Sequence, residues 1–473
     1  MPPFLPRLTS LLGVLALAGC ASLGPDYQPP QPKLADSWQA ALPHQGSTTS
    51  LLNWWQSFND PTLSALLAAA EADSPSLAKA AAAIASARAS QDSSAANALP
   101  SLNVSAKASR SGTAKADSTT VSNTSLGALD ASWEIDLFGA LGRQQEAADA
   151  RSAASEADWH EARVSLAAEV ASEYVQYRAC QLLSASDSAH LVSLQQTARS
   201  TASAVSAGLS APADADLAQA SVASAAASLT QQRAECDLNI KALVALTGLS
   251  EAALRTQLGQ EVTPLPQPAE LSVSSVPVQL LSQRPDLVAA ERSLAAASAE
   301  IGQAEANRYP RLSLLGSVSL SRVHSGGQAS ETAPWSFGPS LSLPLFDGGA
   351  GKAAVRSAQA SYASSLASYQ QAVRDAVKEV EQALVRLASA NARVTDVAQS
   401  ATGYRRYFSA SEQLWRAGGS SLLNLEQSRR DALSAEQNLI GVQRDRVLYG
   451  IALYKALGGG WQTSATPSSG DSR

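Results

Sequence analysis

The chain has 473 residues with 35 Lys and Arg against 41 Asp and Glu, a formal charge of -6. That balance gives no support to nucleic-acid binding, and the length suits two or three ordinary domains or one elongated architecture. Charged residues are 16% and aromatic residues 5% of the chain, both low, and its long Ala- and Ser-rich stretches suit close helix packing.

The first 19 residues carry one cation, Arg7, then an apolar run over 11–18 and small residues before Cys20. This is the plan of a secretory signal, and "LAGC" is the form a bacterial lipoprotein signal takes, with Cys20 lipidated. An ordinary signal followed by a chance cysteine is the other reading. No run of about 18 apolar residues follows Cys20, which excludes a membrane-spanning helix but not a membrane strand. Residues 20–61 are expected to form the lipid-anchored segment and part of an equatorial region.

A tandem repeat organises the rest. "LPSLNVS" at Leu99 returns as "YPRLSLL" at Tyr309, and "AGLSAPADAD" at Ala207 returns as "AGGSSLLNLE" at Ala417, both 210 residues on. "SWEIDLFG" (132–139) answers "SLPLFDGG" (342–349) with a slip of two, as if one hairpin loop were longer. The expected layout is a first repeat at 62–263, a proline-rich linker at 264–277, a second repeat at 278–457 and a tail at 458–473.

In chain order, each repeat opens with a helix, 62–98 or 278–307. Two strands follow, 102–108 and 126–137 in the first repeat, 312–321 and 335–345 in the second. Along the last of these, Trp335, Phe337, Leu341, Leu343 and Leu345 alternate with Ser336, Gly338, Ser340 and Ser342, so one face is apolar and the other wet. The polar stretches 110–125 and 322–334 are expected to be exposed loops. A proline-free helix over 141–207 or 351–417 comes next, about 100 Å long at 1.5 Å per residue. Val373, Val377, Val380, Leu384, Leu387 and Val394 give the second of these a heptad seam. A glycine turn and a returning helix, 213–247 or 423–457, close each half into an antiparallel hairpin.

Four strands cannot close a barrel, and an open sheet leaves edges exposed, so several copies must contribute. A soluble β-sandwich is the alternative, and a poor one beside helices this long. Cys180 and Cys236 each lie 28 residues from Gly208 on opposite arms of the first hairpin. They should meet at one level and form a disulfide in an oxidising compartment, or else remain two buried thiols. His44, His160, His190 and His324 are scattered, with no metal-ligand spacing. No phosphate loop or nucleophile elbow occurs, so an enzyme, a metal site and a cofactor are all unexpected.

"GPDYQPP", "WWQSFNDPTLSALL", "SWEIDLFGALGR", "RPDLVAAERSLAAASAEIGQAEANRYPRLSL", "LPLFDGGAGKAAV" and "ALYKALGGGW", in this order, resemble the TolC-like outer membrane efflux proteins. The likeness is greatest to their NodT-type lipoprotein subgroup, which serves resistance-nodulation-division (RND) pumps. The resemblance implies a mainly α protein with a membrane β-barrel, each protomer giving four strands and long coiled hairpins to a homotrimeric β-barrel and periplasmic α-barrel. It implies outer membrane lipid, a periplasmic adaptor protein and an inner-membrane RND transporter as partners, and a passive duct for drugs or other small toxic compounds. An outer membrane duct for ABC-type protein secretion, or a structural envelope coiled coil without a pore, are the competing readings.

By the same resemblance the hairpin tips meet the adaptor, at Gly208, Leu209, Ser210 and Ala211 and at Gly418, Gly419, Ser420 and Ser421. Asp214, Asp216, Asn424 and Glu426 would form the periplasmic gate, unless the acids merely favour a helix N-terminus. The family's usual run, like "LDVLDAQR", stands here as "LLNLEQSR", with Leu423 at the first acidic place, so Leu422 and Leu423 are candidates for an apolar constriction.

Overall fold

A computed structural model describes residues 22–31, 39–40, 54–115, 118–259, 261–268 and 284–461. The signal segment, Cys20, His44, linker residues 269–277, the start of the helix expected at 278, and the tail after 461 lie outside the described residues. The chain divides into two compact units. One takes its described residues from 1–31, 82–157 and 288–371, the other from 32–81, 158–287 and 372–461.

The elements are α1 (Pro61–Ala72), α2 (Pro75–Asn97), β1 (Ser101–Lys115), β2 (Ser118–Ile135), α3 (Ala140–Ser206), α4 (Pro212–Thr247) and α5 (Glu251–Leu258). Then come α6 (Pro285–Ala306), β3 (Arg311–Ser325), β4 (Gln328–Thr332), β5 (Trp335–Ser342), α7 (Ala350–Arg416) and α8 (Leu422–Ala456), with a final 3₁₀ turn at Gly458–Gly460. The repeat keeps its 210-residue offset throughout, as 75 to 285, 101 to 311, 118 to 328, 140 to 350 and 212 to 422.

Several boundaries differ from the sequence expectation. The helix expected over 62–98 is two, because Asp73 ends α1 and Pro75 starts α2. In the second repeat the described helix is Pro285–Ala306, and the start expected at 278 lies outside the described residues. The polar stretches 110–125 and 322–334 are strand for most of their length, paired through to Lys115↔Ser118 and Ser325↔Gln328. Serine and threonine on both faces leave no apolar alternation to read, yet the backbone ladder continues. Both hairpins therefore turn in two residues, and no longer loop explains the slip seen at 132–139. Gly326 and Gly327 take the positive φ, 59° and 84°, that such a tight turn requires. The fourth strand ends at Ser342 and is split, since Pro334 has no N–H; its carbonyl accepts from Ser319 at 3.0 Å across the gap.

The sheet runs β1-β2-β3 with β4 and β5 both pairing with the far edge of β3, all antiparallel. Its registers place Leu102, Leu129, Ala131, Trp133, Leu312, Leu314, Val318, Trp335, Phe337 and Leu341 on one face. Ser101, Asp130, Ser132, Ser313, Ser317, Ser336 and Ser340 share the other, where Ser317 donates to Asp130 at 2.8 Å. From Leu312 to Leu320 the apolar face of β3 spans about 26 Å at ~3.3 Å per residue, close to the band of a membrane barrel. Further along β3, Arg322 pairs with Glu331 of β4 at 3.2 Å.

The other unit is a helical core. Asp60 caps α1 by accepting from the backbone N–H groups of Thr62 and Leu63, and its second oxygen accepts from the Tyr174 hydroxyl at 2.5 Å. Leu63, Leu66, Tyr174, Leu243, Leu254, Val380, Leu384 and Leu453 bury their side chains together, joined by Trp54 stacked on Tyr454. Part of the heptad seam does this packing: Val380, Leu384 and Leu387 belong to the cluster, and Val377 packs against it half-buried. α5, capped by Ser250 accepting from the Ala253 N–H, is an addition to the expected elements.

Candidate functional site: the two hairpin tips

α3 and α7 each reach 67 residues because no proline or glycine pair interrupts a pattern rich in Ala, Ser and Gln. Both end in the same way. Gly208 at φ 72° donates to Val205 O at 3.0 Å, and Leu209 donates to Ala204 O at 2.8 Å. Gly418 at φ 76° donates to Trp415 O at 2.9 Å, and Gly419 donates to Leu414 O at 2.8 Å. These are two Schellman caps, in which a left-handed residue turns the chain and satisfies the last carbonyls.

The tips are bare. Gly208, Leu209, Ala211, Gly418, Gly419 and Ser421 are exposed, and Ser210 and Ser420 half-buried. Leu209 is 82% exposed and Leu423 61%, so each turn ends in an uncovered leucine.

Past the turns the two halves part. In α4, Pro212 sits at the first helical position and Ala211 offers no side-chain cap. Ser210 instead donates to Asp214 at 2.5 Å, and Asp214 and Asp216 stay half-buried and exposed in the first turns, where the helix dipole favours carboxylates. In α8, Ser421 accepts from the Asn424 N–H at 3.3 Å as an N-cap, and Asn424 is exposed. Leu422 and Leu425 are buried against Ala218, with Ala198, Phe408 and Trp415 packed around them.

Two of the gate candidates, Glu426 and Leu422, are packed inside in this chain. Glu426 is not a free carboxylate: it is buried and ion-paired with Arg429, itself 2% exposed. Arg429 also donates to Thr197 Oγ1 at 2.8 Å and lies over the Phe408 ring at 5.3 Å. Leu422 is likewise packed inside, whereas Leu423 is exposed. An i, i+3 Glu and Arg on α8 meet readily on one face, and a pair taken out of water needs this many partners to be tolerable.

The layer extends toward the core. Gln437 donates to Asp187 at 2.8 Å, and burial pushes the Asp187 carboxyl up against that hydrogen bond. Burial, assisted by the Arg429 charge, pushes His190 down to about 4, so its ring is neutral. Cys180 and Cys236 are joined by a disulfide across α3 and α4, their Cα atoms 5.5 Å apart. Sequence reasoning did not single out Thr197, His190, Phe408 or Arg429. Arg429 could have been found from its spacing to Glu426; the others are brought in only by the packing of α3 and α7 against α8. Among the described residues no group of His, Cys, Asp and Glu could hold a metal ion.

The sequence matches a model of the outer membrane efflux protein family at residues 66–249 and 276–459. Nodulation protein T of Rhizobium leguminosarum bv. trifolii is 30% identical over 463 residues, 97% of this chain and 98% of the relative. The solvent efflux pump outer membrane protein SrpC of Pseudomonas putida is 30% identical over 476 residues, covering 96% and 98%. Among solved structures, the outer-membrane channel OprN superimposes with a TM-score of 0.84 at 31% identity, covering 93% of this chain and 100% of that one.

Proposed function

We propose, because the chain belongs to the outer membrane efflux protein family, that it is the outer membrane channel of a tripartite RND efflux pump and a passive duct for small toxic compounds. The observation that carries this reading is the uncovered apolar face of the sheet. Trp335, Phe337 and Leu341 are 77%, 75% and 67% exposed in the single chain, a surface that water does not tolerate over so large a patch. β1 and β5 leave free edges, and three copies would close them into a twelve-strand barrel with the serine face inward. The channel is then a homotrimer in the outer membrane, with Cys20 as its lipid anchor and the helical hairpins as the periplasmic part.

A conduit needs partners that supply energy, and the bare tips are the surface that suits them. Gly208 to Ala211 and Gly418 to Ser421 would receive a periplasmic adaptor, itself joined to an inner-membrane transporter. Leu423 with Asp214, Asp216 and Asn424 would line the gate, its acids making an electronegative ring in the trimer. The relative SrpC is named for a solvent efflux pump, which favours small-molecule cargo over polypeptide secretion.

A photoreactive residue in place of Ser420, cross-linked in cells and identified by mass spectrometry, tests this. Capture of an adaptor of the RND class is the expected result. An ABC-type adaptor would keep the duct and change its cargo, and no capture would overturn the tip assignment.

A further inference from the structure

The apolar face of the sheet stops within one row of residues on neighbouring strands. On β1 it runs Leu102, Val104, Ala106 and Ala108 and then reaches Arg110; on β3 it runs from Leu312 to Leu320 and then reaches Arg322 and His324. The registers align these ends. Arg110 lies opposite Asn123 and Asn123 opposite His324, one row across β1, β2 and β3. One row nearer the apolar band, Ser125 lies opposite Arg322, and Arg322 opposite Glu331 of β4. Arg110, Asn123, Arg322, His324 and Glu331 are all exposed, and among the described residues Glu331 is the only acid that the pairing puts on this face.

Neighbouring strands sit about 4.8 Å apart, so the row of Arg110, Asn123 and His324 is about 10 Å wide. It presents a guanidinium, an amide NH₂ and an imidazole N–H, and no carboxylate. The repeat does not account for it, since the counterparts of Arg110, Arg322 and His324 at an offset of 210 are Leu320, Gly112 and Ala114. The two halves place their cations at different repeat positions and bring them to adjoining rows, so what the cations share is their height above the apolar band. That height is at the turn end of the sheet. β1 follows α2 and β2 leads toward α3 at the opposite end, whereas the turn at Gly326 and Gly327 lies just beyond His324.

We propose that this row binds the phosphate groups of anionic lipid in the outer leaflet of the membrane, a site that rests on the outer membrane reading given above. Place and charge both fit. With the helical hairpins in the periplasm, the turn end of the sheet lies in the outer leaflet, and the acyl chains of a lipid held there run down over Val104, Val318 and Leu320. A guanidinium takes a phosphate through two parallel N–H bonds, and fixed cations offset the mutual repulsion of phosphates packed side by side. Arg322 is the second cation of the site. It pairs with Glu331 at 3.2 Å, but 67% and 62% of the two side chains are exposed, and an ion pair so open is weak enough to give way to a phosphate.

The test uses the full-length protein in mild detergent, floated first with phosphatidylcholine vesicles. Its trimer is then titrated with a bis-phosphorylated acylated glucosamine disaccharide and with the dephosphorylated form, and bound lipid is counted by native mass spectrometry. The phosphorylated lipid should bind the parent more tightly. Arg110→Gln should weaken that lipid about five-fold and leave the dephosphorylated one unchanged. Glu331→Gln should tighten it by freeing Arg322, a gain that a merely structural ion pair would not give. Lys107→Gln, on the serine face opposite Leu126, should change nothing. Equal binding of the two lipids, or an unchanged affinity in Arg110→Gln, would overturn the site. Displacement by inorganic phosphate at the concentration at which the lipid itself competes would make it a free-anion site and overturn the lipid assignment. A parent that does not float would overturn the barrel reading instead, before any variant is compared.

Discussion

The two hairpin tips share a backbone and almost nothing else. Both turn on a glycine with φ above 70° and close the same pair of hydrogen bonds. At matching positions 210 residues apart, however, Pro212, Ala215, Asp216 and Gln219 stand against Leu422, Leu425, Glu426 and Arg429. The first returning helix starts wet and acidic, and the second starts inside a small core. Duplication has kept the turn, which backbone geometry dictates, and let the side chains divide the work. The first tip carries the acids that burial leaves unpaired with a cation, Asp214 half-buried and Asp216 exposed, while the second packs the hairpins together. The disulfide repeats the asymmetry, since Cys180 and Cys236 correspond to Ala390 and Arg446.

The largest effect that would break this comparison is at Arg429. Arg429→Ala leaves Glu426 buried without its cation, and the expected loss is about 3–5 kcal/mol in urea unfolding. Gln219→Ala, at the matching exposed position, should stay within about 0.5 kcal/mol. Equal losses at the two sites would show that the tips are energetically alike after all. Next comes the bridge: replacing Cys180 and Cys236 by serine frees a 56-residue separation and should cost about 2–4 kcal/mol. Hydrogen exchange should rise in α3 and α4 and leave α7 and α8 unchanged.

The backbone of these tips was legible in the sequence, and their interior was not. Glycine at 208 and 418, after long proline-free runs, gives both turns to within a residue. Alternation of Trp335, Phe337 and Leu341 with serine gives the faces of β5. The symmetric placing of Cys180 and Cys236 gives their meeting. The polar strands at 110–115 and 118–125 could not be read, because pairing there rests on backbone hydrogen bonds and not on an apolar period. Nor could the burial of Glu426. A carboxylate four to eight residues past a turn looks the same whether it faces solvent or a neighbouring helix. Only the approach of Thr197 and Phe408 to α8 decides between them.

A smaller effect follows from His190, whose counterpart in the second repeat is Ser400. Its ring titrates near 4 in the fold and near 6.5 when unfolded. Above pH 6.5 both states are neutral and nothing is lost. Between about 6.5 and 4 only the unfolded chain takes the proton, so stability falls with pH and levels off below. Discounted for the ring's partial exposure, the loss is about 1–2 kcal/mol. Asp187, pushed up by burial, acts in the opposite sense at the acid end. The difference between the parent and His190→Gln across pH 7 to 4 therefore isolates the histidine, and parallel curves would remove it from the account.

The smallest effect is where the tips should agree. Gly208→Ala and Gly418→Ala each place a Cβ on a residue with φ above 70°, and nothing lies within 4 Å of either added atom. Steric crowding by neighbours is thus absent at both, and only the backbone's own left-handed strain remains, about 1 kcal/mol. The two losses should match, since one Schellman geometry serves both tips. A larger loss at Gly418 would mean that the packing of Leu422 and Leu425 against Trp415 and Phe408 depends on the exact direction in which that turn launches α8. The asymmetry would then reach into the turn itself, and the shared backbone would be a coincidence of shape between two differently loaded hinges.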